Sequence, residues 1–271
     1  MTLSRIIKKI CIYAFLIIAF IFSVFPFYWM IVGMTNSAID VVKGKMTFGK
    51  EFINNITTLF SSYNVGGILW NSIKITGSVV ILTLMVTSMA AYGFEFYKSK
   101  SRENVYKAFL LSMMIPFAAL MIPLFKLIVK LGLLNTHLGL IITTIANVFL
   151  IFFFRQSFKS FPKEIVQAAR VDGAGELRIF FSIVMPSMKA TYAAAAIYAF
   201  MTSWNNYLWP LIVLQSNDKK TITLLISNLS SAYVPEYGVI MTTIVIATLP
   251  MIIIFFALQK YFVQGMTGSL K

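Results

Sequence analysis

The sequence predicts an all-α integral membrane protein that crosses the bilayer six times, with both termini on the cytoplasmic side. Three observations point there. Hydrophobic residues make up 59% of the 271 and charged residues only 12%, against roughly 45–50% and about 25% in soluble domains, so much of the surface needs a solvent other than water. The apolar residues fall into six blocks, each near the length of about 20 residues that a helix needs to span hydrocarbon. The net charge of +14 sits on Lys and Arg between those blocks, weighted towards alternate segments as the positive-inside rule requires.

The first block, near 10–34, follows Arg5, Lys8 and Lys9. It resembles a secretory leader, but its apolar run is too long and no small-residue cleavage site follows it, so it reads as a retained helix. The next blocks run near 73–94, 108–129, 138–154, 191–214 and 238–262. With the N-terminus placed inside, the inner segments carry 15 basic residues, from Arg5 to Lys271. The outer segments carry seven, namely Lys43, Lys45, Lys50, Lys126, Lys130, Lys219 and Lys220. Residues 35–72 and 215–237 are the longer outer loops, and 155–189 is one large inner loop. The whole chain, 1–271, reads as a single transmembrane domain, with 158–186 as a cytoplasmic loop within it.

Composition also narrows function. In a soluble protein a charge of +14 suggests nucleic acid; distributed between apolar blocks it reports topology instead, so no nucleic-acid partner is expected and lipid is the surrounding phase. Cys11 and His137 are each alone, which leaves no intrachain disulfide, cysteine cluster or His-based metal site. No catalytic constellation is present, so the chain is not read as an enzyme. A segment at 44–51 mimics a phosphate-binding loop up to its last position. There Glu51 stands where Ser or Thr must reach Mg²⁺, and its carboxylate repels phosphate. An ion-coupled secondary transporter of a small solute is the alternative reading. It would want acids within the spans, yet all nine fall in loops or at block ends.

The inner loop is the most informative segment, because a long loop on a compact scaffold is where function concentrates. Pro162 suits a helix start. Ile165, Ala168, Ala169 and Asp172 then share one face of a short helix, and the two alanines would let a partner's backbone approach. Gly173 and Gly175 break that helix, Gly accepting the positive φ of a sharp turn. A second helical stretch, 176–185, follows, and Pro186 stops it or bends it into the fifth block. In that block Thr202, Ser203, Asn205 and Asn206 lie within an apolar span. Polar side chains there face the bundle interior or a wet cavity. Asn147 in the fourth block is treated alike. Asn amides bond hydroxyls and Trp204 and Trp209 offer faces for a sugar ring; the competing reading is helix–helix packing and interfacial aromatics.

The loop resembles the cytoplasmic signature of permeases of ABC importers: Glu-Ala-Ala, three residues, Gly, then a stretch ending Leu-Pro. Ala168, Ala169, Asp172, Gly173, Ala174 and Pro186 stand at matching places, while Gln167 replaces the Glu and Met185 the Leu. Glu164, one turn earlier, is a candidate substitute for the missing charge. Asn71-Ser72, the 203–210 run Ser-Trp-Asn-Asn-Tyr-Leu-Trp-Pro, and Gln259-Lys-Tyr-Phe-Val-Gln-Gly265 resemble the carbohydrate branch. The likeness is to permeases of the second, MalG-like, kind, of maltose, lactose and arabino-oligosaccharide type, and it covers most of the chain. It implies a heterodimer with a second permease in the bacterial cell membrane. It also implies an ATPase subunit pair holding ATP and Mg²⁺, an extracytoplasmic sugar-binding protein, a sugar cargo, no cofactor in this chain, and a coupling helix at the loop. In the maltose-type system the resemblance further implies that most sugar contacts fall on the other permease.

Overall fold

The computed structural model describes residues 3–267, with side chains described for 7–260. Lys271, the side chain of Arg5 and those of residues 261–265 of the C-terminal motif lie outside the described residues. Among the described residues every regular element is helical.

Two compact units are present, one built from 1–65 with 225–249 and the other from 66–224 with 250–271. In the first, α1 (Leu3–Gly33) is followed by α2 (Ala38–Val42) and α3 (Phe52–Ser62). The chain leaving α1 is pinned by two buried amides. Asn36 donates to the Val32 and Thr47 carbonyls, both at 2.9 Å, and Asn55 to the Met34 and Asn36 carbonyls at 2.9 and 3.0 Å. Each satisfies backbone acceptors that burial would otherwise leave unpaired at a cost of about 1–3 kcal/mol. In contrast, Phe15, Phe20 and Phe22 on α1 are 65–76% exposed, an apolar surface that belongs against lipid or another protein.

The second unit opens with all but the first residue of α4 (Val65–Phe96), a helix that begins well before position 73. It continues through α5 (Lys100–Ser112), α6 (Phe117–Lys130), α7 (His137–Thr144) and α8 (Val148–Lys159). After α9 (Lys163–Val171) come α10 (Glu176–Ile179), a π-helical turn at Phe180–Val184 and α11 (Met185–Ser187). Then follow α12 (Lys189–Trp204), α13 (Leu208–Val213), α14 (Ile222–Ser230) and α15 (Tyr237–Thr267), the last two carrying residues of both units.

Three helices, α1, α4 and α15, are each long and apolar enough to cross a membrane; three bent pairs bring the number to as many as six. The sequence blocks thus recur as helical segments, but three are broken. The block at 108–129 bends by 106° between α5 and α6. Pro116 there lacks an N–H and pushes Ile115 out of the helical region. The block at 138–154 bends by 42° between α7 and α8, where the Asn147 side chain accepts the Leu150 N–H at 3.0 Å and starts a new helix. The block at 191–214 parts at residues 205–207. Segments 35–72 and 215–237 also contain the short helices α3 and α14. Segment 44–51 joins α2 to α3 with no strand before it, so it lacks the setting of a phosphate-binding loop.

Two apolar clusters hold the second unit together. One gathers Ile75, Val79, Ile128, Leu140, Trp209, Val213, Leu214 and Leu224. The other is aromatic and lies beneath the 158–186 segment: Tyr92, Tyr106, Phe154, Phe158, Phe161 and Phe180 enclose Val166, Ala169 and Ile179. Phe154 and Phe158 are fully buried, and truncating either to Ala is expected to cost about 3–5 kcal/mol. Thermal unfolding in detergent would read this as a lowered midpoint.

Candidate functional site

The 158–186 segment folds as two short helices about a glycine elbow. Helix α9 starts at Pro162 and ends at Asp172, and Gly173 follows with φ +79°. The Gly173 N–H donates to the Arg170 carbonyl and the Ala174 N–H to the Ala169 carbonyl, both at 3.0 Å. This is the paired Schellman closure of a helix end, which needs a left-handed residue at that position. Ala174 then packs on the same cluster as Ala169, the apolar contact that accompanies such a cap.

The elbow is clamped by charge. Arg170 meets Glu176 across the turn through Nε–Oε1 at 2.6 Å and Nη2–Oε2 at 3.2 Å, and the Tyr92 hydroxyl donates to Glu176 Oε2 at 2.7 Å. The Arg170 guanidinium also lies over the Tyr97 ring, 5.1 Å from its centre. The hydrogen bond to Glu176, chiefly, raises the Arg170 pKa above its ordinary value, so the clamp keeps its charge at any physiological pH. These contacts join both helices of the elbow to the end of α4.

A second charge cluster anchors the start of α9. Glu95, only 2% exposed at the end of α4, lies 3.3 Å from Lys98 Nζ, 3.4 Å from Lys163 Nζ and 3.5 Å from Arg155 Nε. Arg155 turns its other face to Glu103 at 2.6 Å and covers the Tyr106 ring at 3.9 Å. The Glu95 oxygens have cations around them but no hydrogen bond of good geometry. Removing one partner would strand a buried charge. Gln167 lines a cleft of about 210 Å³ with Glu95, Lys98 and Lys163.

The sequence expectation for the α9 face divides. Ala168 and Asp172 are exposed, with Ile165 at 44%, but Ala169 is 8% exposed and buried in the chain's own core beside Val166. The reason is the Schellman closure, which folds Ala174 back onto the Ala169 side. The outward side carries an apolar group, Ile165, Ala168, Val171 at 87% and Leu177 at 63%, set among exposed Lys163, Asp172 and Arg178. Glu164 and Gln167 are exposed beside it. Beyond the elbow the helix widens to π pitch at Phe180–Val184, immediately before Pro186. Such widening accommodates a proline that withholds a donor and crowds the carbonyl four residues back. The 86° bend falls at Met188, two residues after Pro186.

The candidate pathway residues scatter. Trp209 is 1% exposed, donates Nε1–H to the Thr143 hydroxyl at 2.8 Å and meets Phe117 edge-on. Trp204 is 4% exposed and stacks on Phe200. Both rings are largely taken up by packing within this chain, as in the competing reading of helix–helix packing. Asn205 closes α12 as an exposed C-cap, and the Asn206 carbonyl accepts from the Thr223 hydroxyl at 3.1 Å. Asn206 and Trp204 line a cavity of about 20 Å³, room for about one water. Asn147, with Thr202 and Ser203, lines a large cavity of about 610 Å³ and also caps α8. Asn147→Ala is expected to lower stability by about 1 kcal/mol through the lost cap, measured as a lower midpoint of thermal unfolding in detergent. The charge clamps were not foreseen. Their only sequence signals were Arg170 and Glu176 flanking the glycines and Glu95 closing an apolar block.

The profile of the family described as "Binding-protein-dependent transport system inner membrane component" matches residues 83–268. A lactose transport system permease protein, LacG, of Rhizobium radiobacter is 53% identical over 100% of this chain and 99% of its own. An arabinooligosaccharides transport system permease protein, AraQ, of Bacillus subtilis strain 168 is 34% identical over 98% and 96%. An sn-glycerol-3-phosphate transport system permease protein, UgpE, of Yersinia pestis is 28% identical over 94% and 95%. A chain of the crystal structure of a bacterial ABC transporter involved in the import of the acidic polysaccharide alginate superposes with a TM-score of 0.85. It covers 97% of this chain and 99% of that one at 22% identity, a likeness of fold. The profile match and the full-length relatives together make this chain a member of the family of inner membrane components of binding-protein-dependent transport systems.

Proposed function

We propose that this chain is the MalG-like permease subunit of a bacterial ABC importer for a sugar or oligosaccharide, crossing the cell membrane six times with both ends cytoplasmic. It pairs with a second permease, receives cargo from an external binding protein, and hydrolyses nothing itself. ATP and Mg²⁺ belong to the partner ATPase pair. The 158–186 segment is the coupling element. The observation that carries this reading is the elbow: an apolar crown of Ile165, Ala168, Val171 and Leu177 on a base fixed to α4 by the Arg170–Glu176–Tyr92 clamp. A crown uncovered in the isolated chain fits a groove on another protein, and a rigid base passes that protein's movement to the spans.

Two measurements test the assignment. In a Cys11→Ser background, cysteines at Ser62 and Ser231 are expected to react with an impermeant maleimide from outside, and cysteines at Ser99 and Ser160 are not. Reversed labelling would contradict the orientation. Reconstituted alone, the chain is expected to give neither ATPase activity nor uptake. With a second permease, an ATPase pair and a binding protein it gives both, and uptake stops on ATP depletion. Uptake that instead collapses with an uncoupler and ignores ATP would favour ion coupling.

A further inference from the structure

The cavity of about 610 Å³ lies in the second unit. It is lined from α4, the α5–α6 break, the α7–α8 break and α12, and its size falls within the ~300–1,000 Å³ of small-molecule sites. Two helix breaks open onto it. Non-helical backbone at membrane depth is tolerated where it is buried in protein or lines a wet cavity, and interrupted helices are a recurrent way of building transport sites.

Two of its polar groups keep hydrogen-bonding capacity to spare, Thr83 and Asn147. Thr83 is 2% exposed, and its hydroxyl has no hydrogen-bond partner. A buried hydroxyl in that condition costs about 1–3 kcal/mol, and a ligand or water entering the cavity would relieve it. Asn147 uses its Oδ1 on the Leu150 N–H, which leaves both amide protons available. The Thr202 hydroxyl donates to the Tyr198 carbonyl and keeps its lone pairs for a donor from outside, whereas Thr143 donates to the Gly139 carbonyl and already accepts from Trp209 Nε1. Beside them the Tyr198 ring, 37% exposed, lies 4.6 Å from Phe149 and presents an apolar face. No charged side chain lines the cavity.

We infer that this cavity is a cargo site within this permease, built for an uncharged polyhydroxylated ligand. Thr83 and the Asn147 amide bond its hydroxyls and the Tyr198–Phe149 pair carries its C–H face. An anionic cargo is disfavoured, because a phosphate there would sit in an apolar setting with no cation to offset its desolvation. An acyl chain would fill the volume yet leave Thr83 and the Asn147 amide unpaired. The inference rests on the import function proposed above and deepens it. It places a contact on a subunit whose resemblance implied few.

The test uses the whole transporter in proteoliposomes, with its ATPase pair, second permease and binding protein, in a Cys11→Ser, Thr202→Cys background. Labelling of Cys at 202 by a small maleimide is followed during turnover with lactose, with maltose, with glycerol 3-phosphate, or with no solute. Whichever neutral sugar is taken up is expected to slow labelling at least about threefold, and glycerol 3-phosphate is not. Adding Thr83→Val is expected to abolish that protection. It should leave detergent stability equal or higher, since it removes an unpaired buried hydroxyl, so loss of protection will not be mistaken for misfolding. Sugar uptake without protection overturns the inference and leaves the import function standing. So does protection that survives Thr83→Val, or labelling blocked under every condition as by a resident lipid. Protection by glycerol 3-phosphate overturns the choice of an uncharged cargo. ATP-driven uptake of no sugar at all overturns the import function itself, and this inference with it.

Discussion

Gly173→Val is expected to abolish transport while the protein still inserts and accumulates. Gly173 holds φ +79°, and a Cβ there would meet no neighbouring atom within 4 Å, so the penalty is conformational rather than steric. An L-residue in the left-handed region costs roughly 1–2 kcal/mol, and a β-branched one fares worse. That shifts the population of the closed elbow by about 5–30-fold or more. A graded series separates this cause from others. Gly173→Asn, which tolerates left-handed backbone, is expected to keep most activity, Gly173→Ala less, and Gly173→Val almost none. Binding-protein-stimulated ATPase activity and co-purification of the ATPase subunit are the readouts. A flat series would mean that the turn geometry does not matter. Lys159→Ala, at an exposed residue bonded only to its neighbour Gln156, is the control and is expected to change little.

Arg155→Ala is expected to cost about 3–5 kcal/mol of stability, because it strands a charge that is buried. Arg155 stands between Glu95 and Glu103 and covers the Tyr106 ring. Without it Glu95 keeps two lysines at 3.3 and 3.4 Å, with side chains 61% and 46% exposed. The partial rescue is specific: Glu95→Gln combined with Arg155→Met removes both buried charges and is expected to recover at least half of the loss. Thermal unfolding in mild detergent measures both variants. If the single variant unfolds at the wild-type midpoint, the cluster does not hold α4 to α8 and α9. Ala169→Glu belongs with this group. Ala169 is packed in the chain's own core, so a Glu there is expected to unseat α9 from within rather than block a partner.

The six apolar blocks were legible because hydrocarbon demands long apolar runs, and that demand is written in composition. The breaks within three of them were less so. The block at 108–129 reads straight through Pro116, where the chain bends. Asn147 reads equally as a polar contact in a bundle or as a cap, and only the Leu150 N–H at its Oδ1 decides. The elbow was readable from Pro162, Gly173 and Pro186. Which α9 face is outward was not, since Val166 and Ala169 differ from Ile165 and Ala168 only by where the aromatic cluster lies. Trp209 stayed open between sugar stacking and packing for a related reason: its partner Thr143 is 66 residues away, beyond any local pattern. The Glu95–Arg155–Lys163 cluster joins three helices across similar separations.

Cross-linking through Val171 shows whether the elbow touches the ATPase subunit. Val171 is 87% exposed at the tip of the elbow, so Val171→Cys in the Cys11→Ser background disturbs no packing. In membranes containing the whole transporter, a short bifunctional cross-linker is expected to join it to the ATPase subunit, with a yield that changes when ATP is bound. A cysteine at Ile39, 67% exposed on α2, is expected to give no such product. A Val171→Cys chain that stays uncross-linked, in a transporter that retains its ATPase and full uptake, would contradict the assignment of 158–186 as the coupling element.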